Sequence, residues 1–234
     1  MHFKDQDKKK AITFSYDDGV TQDIRLIELL NKYGLKCTFN LNSALLSQKG
    51  MLVREGLRIS HYKVHTDDVK TIYDGHEVAV HTLTHPNLTT LDEDEIICQV
   101  ENDRQNLSQL MGYEVVGMAY PCGGVNNDDR VADIIKKHTG IKYCRTVATT
   151  GGFDLQENLF RFNPTVYHLD FEKMMHLGQK FIEMHTETPK VFYIWGHSYE
   201  MDYGADYWVK LEEFFKLISN KEDIFYGTNK EVLL

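Results

Sequence analysis

Ile12-Thr13-Phe14-Ser15-Tyr16-Asp17-Asp18-Gly19 is the stretch whose reading decides the fold. It opens as an apolar, β-prone run behind a basic segment and stops at two adjacent carboxylates and a glycine. A strand of this kind ends where its sheet meets solvent. That puts Asp17 and Asp18 at the C-terminal edge, where α/β folds bind ligands. Two neighbouring carboxylates repel, so a site that keeps both has separate work for them: one can hold a metal while the other takes a proton. An Asp-Asp-Gly turn is the plain alternative, and this stretch alone weighs the two evenly.

Outward from this strand (residues 11–16), strand and helix patterns alternate along the chain. Thr21 is placed to cap a helix over 23–33, with Ile24, Ile27 and Leu30 on one face and Gly34 as the stop. A strand follows at 35–41; 42–65 is mixed in polarity, with a short strand at 57–60. A short helix (68–73) leads to a strand at 77–80 that runs into His81. Thr90-Leu91-Asp92-Glu93 reads as a capping box for a helix carrying Ile96, Val100, Leu107 and Leu110 and ended by Gly112. Further strands are expected at 114–120, 141–147, within 160–167 and at 191–195, Pro164 marking an edge or bulge. Helices fall between them, begun by Asn127 and Asp170, and a helix at 207–219 and a strand at 224–226 complete the pattern. Alternation repeated about seven times predicts an α/β fold: a single-domain irregular (β/α) barrel of about seven parallel strands. Residues 1–10 read as a polar tail and 11–234 as one domain.

Hydrophobic residues make up 42% of the 234-residue chain, enough for a sizeable core and against disorder. The net charge of −9 argues against a nucleic-acid partner, and Lys8-Lys9-Lys10 is too short a basic run to change that. Residues 1–10 hold no apolar signal core, and no stretch approaches the roughly 18 apolar residues of a membrane span. A soluble, cytoplasmic protein is the expectation, taking the chain as complete. Cys37, Cys98, Cys122 and Cys144 form no close pair and read as free thiols.

His81 and His85 stand four apart, so one helical turn would bring both imidazoles to one face as a chelate. Imidazole suits zinc, nickel, cobalt and iron. In a chain with eleven histidines the spacing also arises by chance. Position adds weight: Asp17-Asp18, His81/His85, Pro121-Cys122-Gly123, Arg145 and His197 all fall at expected strand ends, and a parallel sheet brings such ends to one rim. Two histidines and a carboxylate leave coordination positions open, the catalytic pattern. The second aspartate can then act as base and His197 as acid.

Thr13-Phe14-Ser15-Tyr16-Asp17-Asp18-Gly19 resembles the first motif of the NodB-homology polysaccharide deacetylases, carbohydrate esterase family four. His81-Thr82-Leu83-Thr84-His85, led by Gly75-His76-Glu77, is similar to their H-[ST]-x-x-H motif, and Trp195-Gly196-His197 stands where that family has its late L-x-H motif. The resemblance covers about residues 11–200. It implies one divalent metal, zinc first and nickel, cobalt or iron compatible, held by Asp18, His81 and His85. It further implies Asp17 as the base that activates metal-bound water, His197 as the acid, and the backbone N–H of Cys122 as the oxyanion donor. The implied reaction removes N-acetyl groups from an N-acetylated sugar or oligosaccharide and releases acetate.

The chain departs from the family pattern in three places. The arginine of the third motif is replaced by Ala119, the Asp-Trp pair of the fourth is not recognisable, and Trp195 replaces the leucine that lines the acetyl pocket. Arg145, on the next strand, is placed to reach Asp17 in compensation; a structural arginine is the equal alternative. Trp195 closes the acetyl pocket or is core. Tyr120, Tyr199 and Asp202 are rim candidates, Tyr120 on the substrate side. His61, His65, His76, His138, His168, His176 and His185 read as non-catalytic. Two other functions fit the same residues: an amidase for a small non-sugar amide, and a degenerate module that binds carbohydrate without catalysis. The sequence leaves the oligomeric state open.

Overall fold

A computed structural model of the chain describes residues 8–234. The rest of the expected tail, residues 1–7, lies outside the described residues. The strands of the main sheet are β1 (Lys10–Asp17), β2 (Cys37–Leu41), β5 (Glu77–Val80), β6 (Gly117–Ala119), β7 (Tyr143–Arg145), β8 (Val166–Tyr167), β9 (Lys190–Gly196) and β10 (Ile224–Tyr226). A separate antiparallel hairpin is made by β3 (Met51–Arg54) and β4 (Leu57–Ser60). The helices are α1 (Asp23–Lys32), α2 (Val69–Ile72), α3 (Glu93–Met111), α4 (Asp129–His138), α5 (Phe171–Glu183), α6 (Tyr207–Ile218) and α7 (Asn229–Leu233).

Seven strands run in the order β7-β6-β5-β2-β1-β9-β8, with β10 added to β1, and every pairing is parallel. Every residue of β1 is buried because both of its faces are covered. Ile12, Phe14 and Tyr16 point outward into the main core beneath the helices, where Phe14 meets Phe214 and Phe215 edge to face. The alternate residues Ala11, Thr13, Ser15 and Asp17 line the other face.

The two ends of the sheet meet through the segment around Pro164. Phe162 N–H donates to Cys144 O at 2.9 Å and Thr146 N–H to Phe162 O at 2.9 Å, while Thr165 N–H donates to Tyr193 O at 2.8 Å. This segment therefore bridges β7 to β9, and Pro164 interrupts the strand expected at 160–167, leaving only β8 regular. The expected barrel of about seven parallel strands is the observed architecture.

The floor of the barrel is sealed by α7, which sequence periodicity did not reveal. Asn229 accepts from Thr13 Oγ1 at 2.8 Å and donates to Tyr193 Oη at 2.5 Å, and Lys230 N–H donates to the buried Glu77 Oε2 at 2.9 Å. Val232 and Leu233 pack with Ala11, Tyr143, Phe162 and Val191.

Several local expectations are corrected. Lys10 belongs to β1, not to a solvated tail: it is buried, pairs with Asp223 at 2.7 Å and donates to Phe181 O and Ile182 O. Gln22, not Thr21, precedes α1, with no side-chain cap. The capping box of α3 is formed by Asp92 and Glu95, and Asp128, not Asn127, caps α4. The strands at β6 and β7 are shorter than the patterns that announced them.

Candidate active site

The parallel register delivers the ends of β1, β2, β5, β6, β7 and β9 to one rim. Asp17, at the end of β1, is 1% exposed. Asn40 Nδ2 donates to its Oδ1 at 2.8 Å, and Arg145 Nη2 donates to Oδ1 at 2.6 Å and to Oδ2 at 2.5 Å. The expected Arg145–Asp17 contact is thus present. One nitrogen serves both carboxylate oxygens in place of the two-nitrogen fork. Arg145 is fully buried: Nε donates to Ser15 Oγ, Nη1 donates to Thr146 O, and the guanidinium lies 4.6 Å from the centre of the Trp195 ring. Burial pushes the Asp17 carboxyl up, but Arg145, His81 and His197 outweigh it and hold it below the usual carboxylate range.

Asp18 turns its side chain the other way because its backbone is left-handed, at φ 84°. Its Oδ2 lies 3.2 Å from His61 Nε2, and Lys63 Nζ donates to its carbonyl at 2.6 Å and to Oδ1 at 3.3 Å. These partners outweigh burial and hold Asp18 well below the ordinary range. His61 was read from sequence as non-catalytic; the structure puts it against a candidate metal ligand. His61 and Lys63 follow the hairpin, and no sequence pattern announced that this hairpin folds back onto β1.

His81 and His85 do not share a helical turn. The chain after β5 is irregular, with Thr82 at φ 68° and His85 at φ 64°. Asn42 Nδ2 pins this loop by donating to His81 O at 2.6 Å and to Thr82 O at 2.9 Å. The imidazoles still converge, with ring centres 4.8 Å apart. His81 Nδ1 contacts Ala119 O at 2.9 Å; a carbonyl only accepts, so Nδ1 carries the proton and Nε2 offers its lone pair to the site. Burial lowers both imidazoles, His81 to about 4, which favours the neutral, ligating form. One ligand atom each from Asp18, His81 and His85 lie within 4.8 Å of one another. Of the seven non-glycine residues with positive φ among the described residues, four (Asp18, Thr82, His85 and Cys122) are at this rim, where strain is commonly stored for function.

On the far side of Asp17, His197 presents Nε2 4.0 Å from Asp17 Oδ2, the same distance as His81 Nε2. Its Nδ1 lies 3.0 Å from Glu200 Oε2, which also accepts from the His197 backbone N–H at 3.1 Å. Burial opposes charge on His197, but Glu200, Asp18 and Asp17 push it up to about 9. Glu200 is held well below the carboxylate range: burial is outweighed by the charge of His197 and the hydrogen bond from His168. Glu200 escaped the sequence reading, although an acid three residues after a strand-end histidine is the reach-back spacing of a capping box.

Asp17, Asp18, His81, His85, Tyr120, Cys122, Val147, Trp195, His197 and Tyr199 line a cavity of about 410 Å³. Tyr120, expected on the substrate side, is among the residues lining this cavity; its side chain is otherwise buried and its hydroxyl donates to Phe160 O. Trp195 packs at a tilt against Tyr167, and its buried Nε1–H has no hydrogen-bond partner among the described residues. The Cys122 thiol sits 3.9 Å from His85 Nδ1. No helix among the described residues is long and apolar enough to cross a membrane.

The model of the polysaccharide deacetylase family matches residues 4–143. Chitin deacetylase 1 of Cryptococcus neoformans is 30% identical over 128 residues, which are 54% of this chain and 23% of that protein. Peptidoglycan-N-acetylglucosamine deacetylase PgdA of Listeria monocytogenes is 26% identical over 120 residues, 50% of this chain and 22% of that protein. The chain thus spans less than a quarter of the length of these curated relatives. The family 4 carbohydrate esterase from Streptomyces lividans, solved with acetate, shares the fold at a TM-score of 0.57 and 14% identity, covering 94% of this chain and 93% of that one. With the family model spanning more than half its length, the chain belongs to the polysaccharide deacetylase family.

Proposed function

We propose that this protein is a metal-dependent hydrolase that removes N-acetyl groups from an N-acetylated sugar or oligosaccharide. The observation that carries the reading is the convergence of Asp18, His81 and His85 within 4.8 Å beside a buried carboxylate, Asp17, which has the imidazole of His197 4.0 Å away. The donor set fits a divalent ion: one carboxylate oxygen and two neutral imidazole nitrogens, with the His81 tautomer already fixed by Ala119 O. Zinc is the proposed ion, and nickel, cobalt and iron suit the same donors. When bound there, it supplies Lewis acidity that polarises the amide carbonyl and makes water more acidic.

The chain's own residues do the remaining work. Asp17, ionised and fixed by Arg145 and Asn40, takes a proton from the attacking water. The backbone N–H of Cys122 donates to the oxygen on which negative charge develops. As the C–N bond breaks, its electron pair stays on nitrogen, which receives the Nε2 proton of His197. Trp195 closes the cavity, its ring lying against the Arg145 guanidinium that holds Asp17. The opposed pulls on the two groups, Asp17 held below and His197 pushed above its ordinary range, favour catalysis over a degenerate binding module, because binding alone needs neither a base nor an acid.

The test measures acetate release and metal content together on N-acetylated oligosaccharides and on small non-sugar amides. Acetate release from the oligosaccharides that depends on one equivalent of metal supports the proposal. Turnover of the small amides alone assigns the amidase reading, and saturable carbohydrate binding without turnover assigns the binding module.

A further inference from the structure

His168 is fully buried and takes no direct part in the site described above. Its backbone N–H donates to Trp195 O at 2.9 Å, which registers it beside the strand end that carries His197. Both ring nitrogens are engaged. Nε2 lies 2.7 Å from Glu200 Oε2, and Nδ1 lies 3.1 Å from Tyr16 Oη. Glu200 is held ionised and only accepts, so Nε2 carries the His168 proton. Burial keeps the Tyr16 phenol protonated, so its hydroxyl donates to Nδ1. Donation therefore runs one way, from Tyr16 to His168 and from His168 to Glu200. Oε2 of Glu200 meets His197 Nδ1 and the His197 N–H from the other side. Its Oε1 accepts from Tyr167 Oη.

The close approach is built into the chain at Gly196. A Cβ on that residue would lie 2.3–2.4 Å from the His168 ring, so any side chain there expels the imidazole. One carboxylate is thus shared by two imidazoles, of which His168 is neutral because burial lowers it.

We propose that His168 is a positioning residue for this reaction: its Nε2–H, aimed by Tyr16, draws on Glu200 and keeps that carboxylate from holding the proton of His197 too tightly to be passed to the leaving amine. The proposal rests on His197 being the acid. A neutral donor aimed at a carboxylate weakens the carboxylate's pull on its other partners, because the same lone pairs and charge are divided. The groups facing His168 are Tyr16 on β1, Tyr167 beside it, and Glu200 and His197 on the turn Ser198–Asp202 and its lead-in. His197 is faced in addition by Asp17, Asp18 and Tyr199.

The experiment titrates the His197 imidazole by NMR in the full chain and measures kcat and KM against pH in the metal-loaded protein. In His168→Phe the His197 titration should move up by about one pH unit, a tenfold gain in proton affinity. kcat should fall by roughly threefold to tenfold with KM unchanged. His168→Gln, whose amide N–H can replace Nε2–H, should return both to near wild type. Tyr16→Phe, which keeps the ring and removes the aiming hydroxyl, should move His197 in the same direction by less, and it carries the test if His168→Phe does not fold. An unchanged or lowered His197 titration, or His168→Gln behaving like His168→Phe, overturns the proposal. Failure of the deacetylase reading shows itself separately, as absence of acetate release from the wild type, while the titration still reports on His168.

Discussion

Replacing Glu200 with glutamine removes a charge while keeping an amide oxygen that can accept from His197 Nδ1. His197 is pushed from its ordinary 6.5 up to about 9, and Glu200 is the largest contributor to the rise. At about 1.36 kcal/mol for each tenfold change in proton affinity, that rise favours the imidazolium by roughly 3 kcal/mol. Asp17 and Asp18 supply part of it, so Glu200→Gln should bring His197 down by about two units, to about 7. At pH 8 the protonated fraction then falls from about 0.9 to about 0.1, and acetate release should fall about tenfold; at pH 6 it should be close to wild type. The stability consequence has a definite sign. A raised imidazole contributes stability that is complete below about 6.5 and is lost as pH rises through about 9. A depressed Glu200 contributes stability that is present above its ordinary 4.5 and is lost as pH falls towards its depressed value. The wild type should therefore exceed Glu200→Gln in thermal stability most clearly between those limits. The assay is initial acetate release from pH 5 to 10 with metal content measured in each sample. A uniform loss across pH, with the alkaline limb unmoved, would refute the coupling of Glu200 to His197.

His81→Ala combined with His85→Ala should abolish stoichiometric metal by elemental analysis; a tightly bound ion retained in the double variant would show that the donor set is wrong. Asp17→Asn should keep the metal and lose activity by about 10²- to 10⁴-fold, and full activity in this variant rules Asp17 out as base. Arg145→Ala leaves the buried Asp17 uncompensated and should lower stability by about 3–5 kcal/mol as well as the rate, whereas Arg145→Lys should rescue in part; an unchanged denaturation midpoint in Arg145→Ala would contradict the ion pair. Arginine introduced at Ala119 in the Arg145→Ala background should restore some activity, with metal content unchanged.

The fold was legible because its signal is local. β1 alternates cleanly, each later strand carries an apolar run, and parallel pairing brings their ends together without further information. The Arg145 contact was legible for a different reason: an alanine at position 119 leaves a hole beside Asp17, and the next strand over carries an arginine at the matching height. What stayed hidden depends on distant partners. Nothing near His168 announces that Tyr16 and Glu200 will hold it, and nothing near His61 announces that the hairpin will lay it on Asp18. The His81–His85 loop was misread because spacing alone cannot distinguish a helical turn from an irregular loop with left-handed residues at Thr82 and His85. The helix α7 is too short for periodicity to reveal, and its value to the fold lies in side chains pointing at strands far back in the chain.

That floor sets a schedule for synthesis. A ribosome releases β1 well before β9 and β10, its partners in the sheet, and Thr13 finds its partner 216 residues later at Asn229. Glu77 waits 153 residues for the Lys230 amide. Until residues 229–230 emerge, the nascent barrel holds a buried carboxylate and hydroxyls without their final partners. Closure therefore waits on residues 229–230, and the unfinished barrel is the form most exposed to chaperones and proteases.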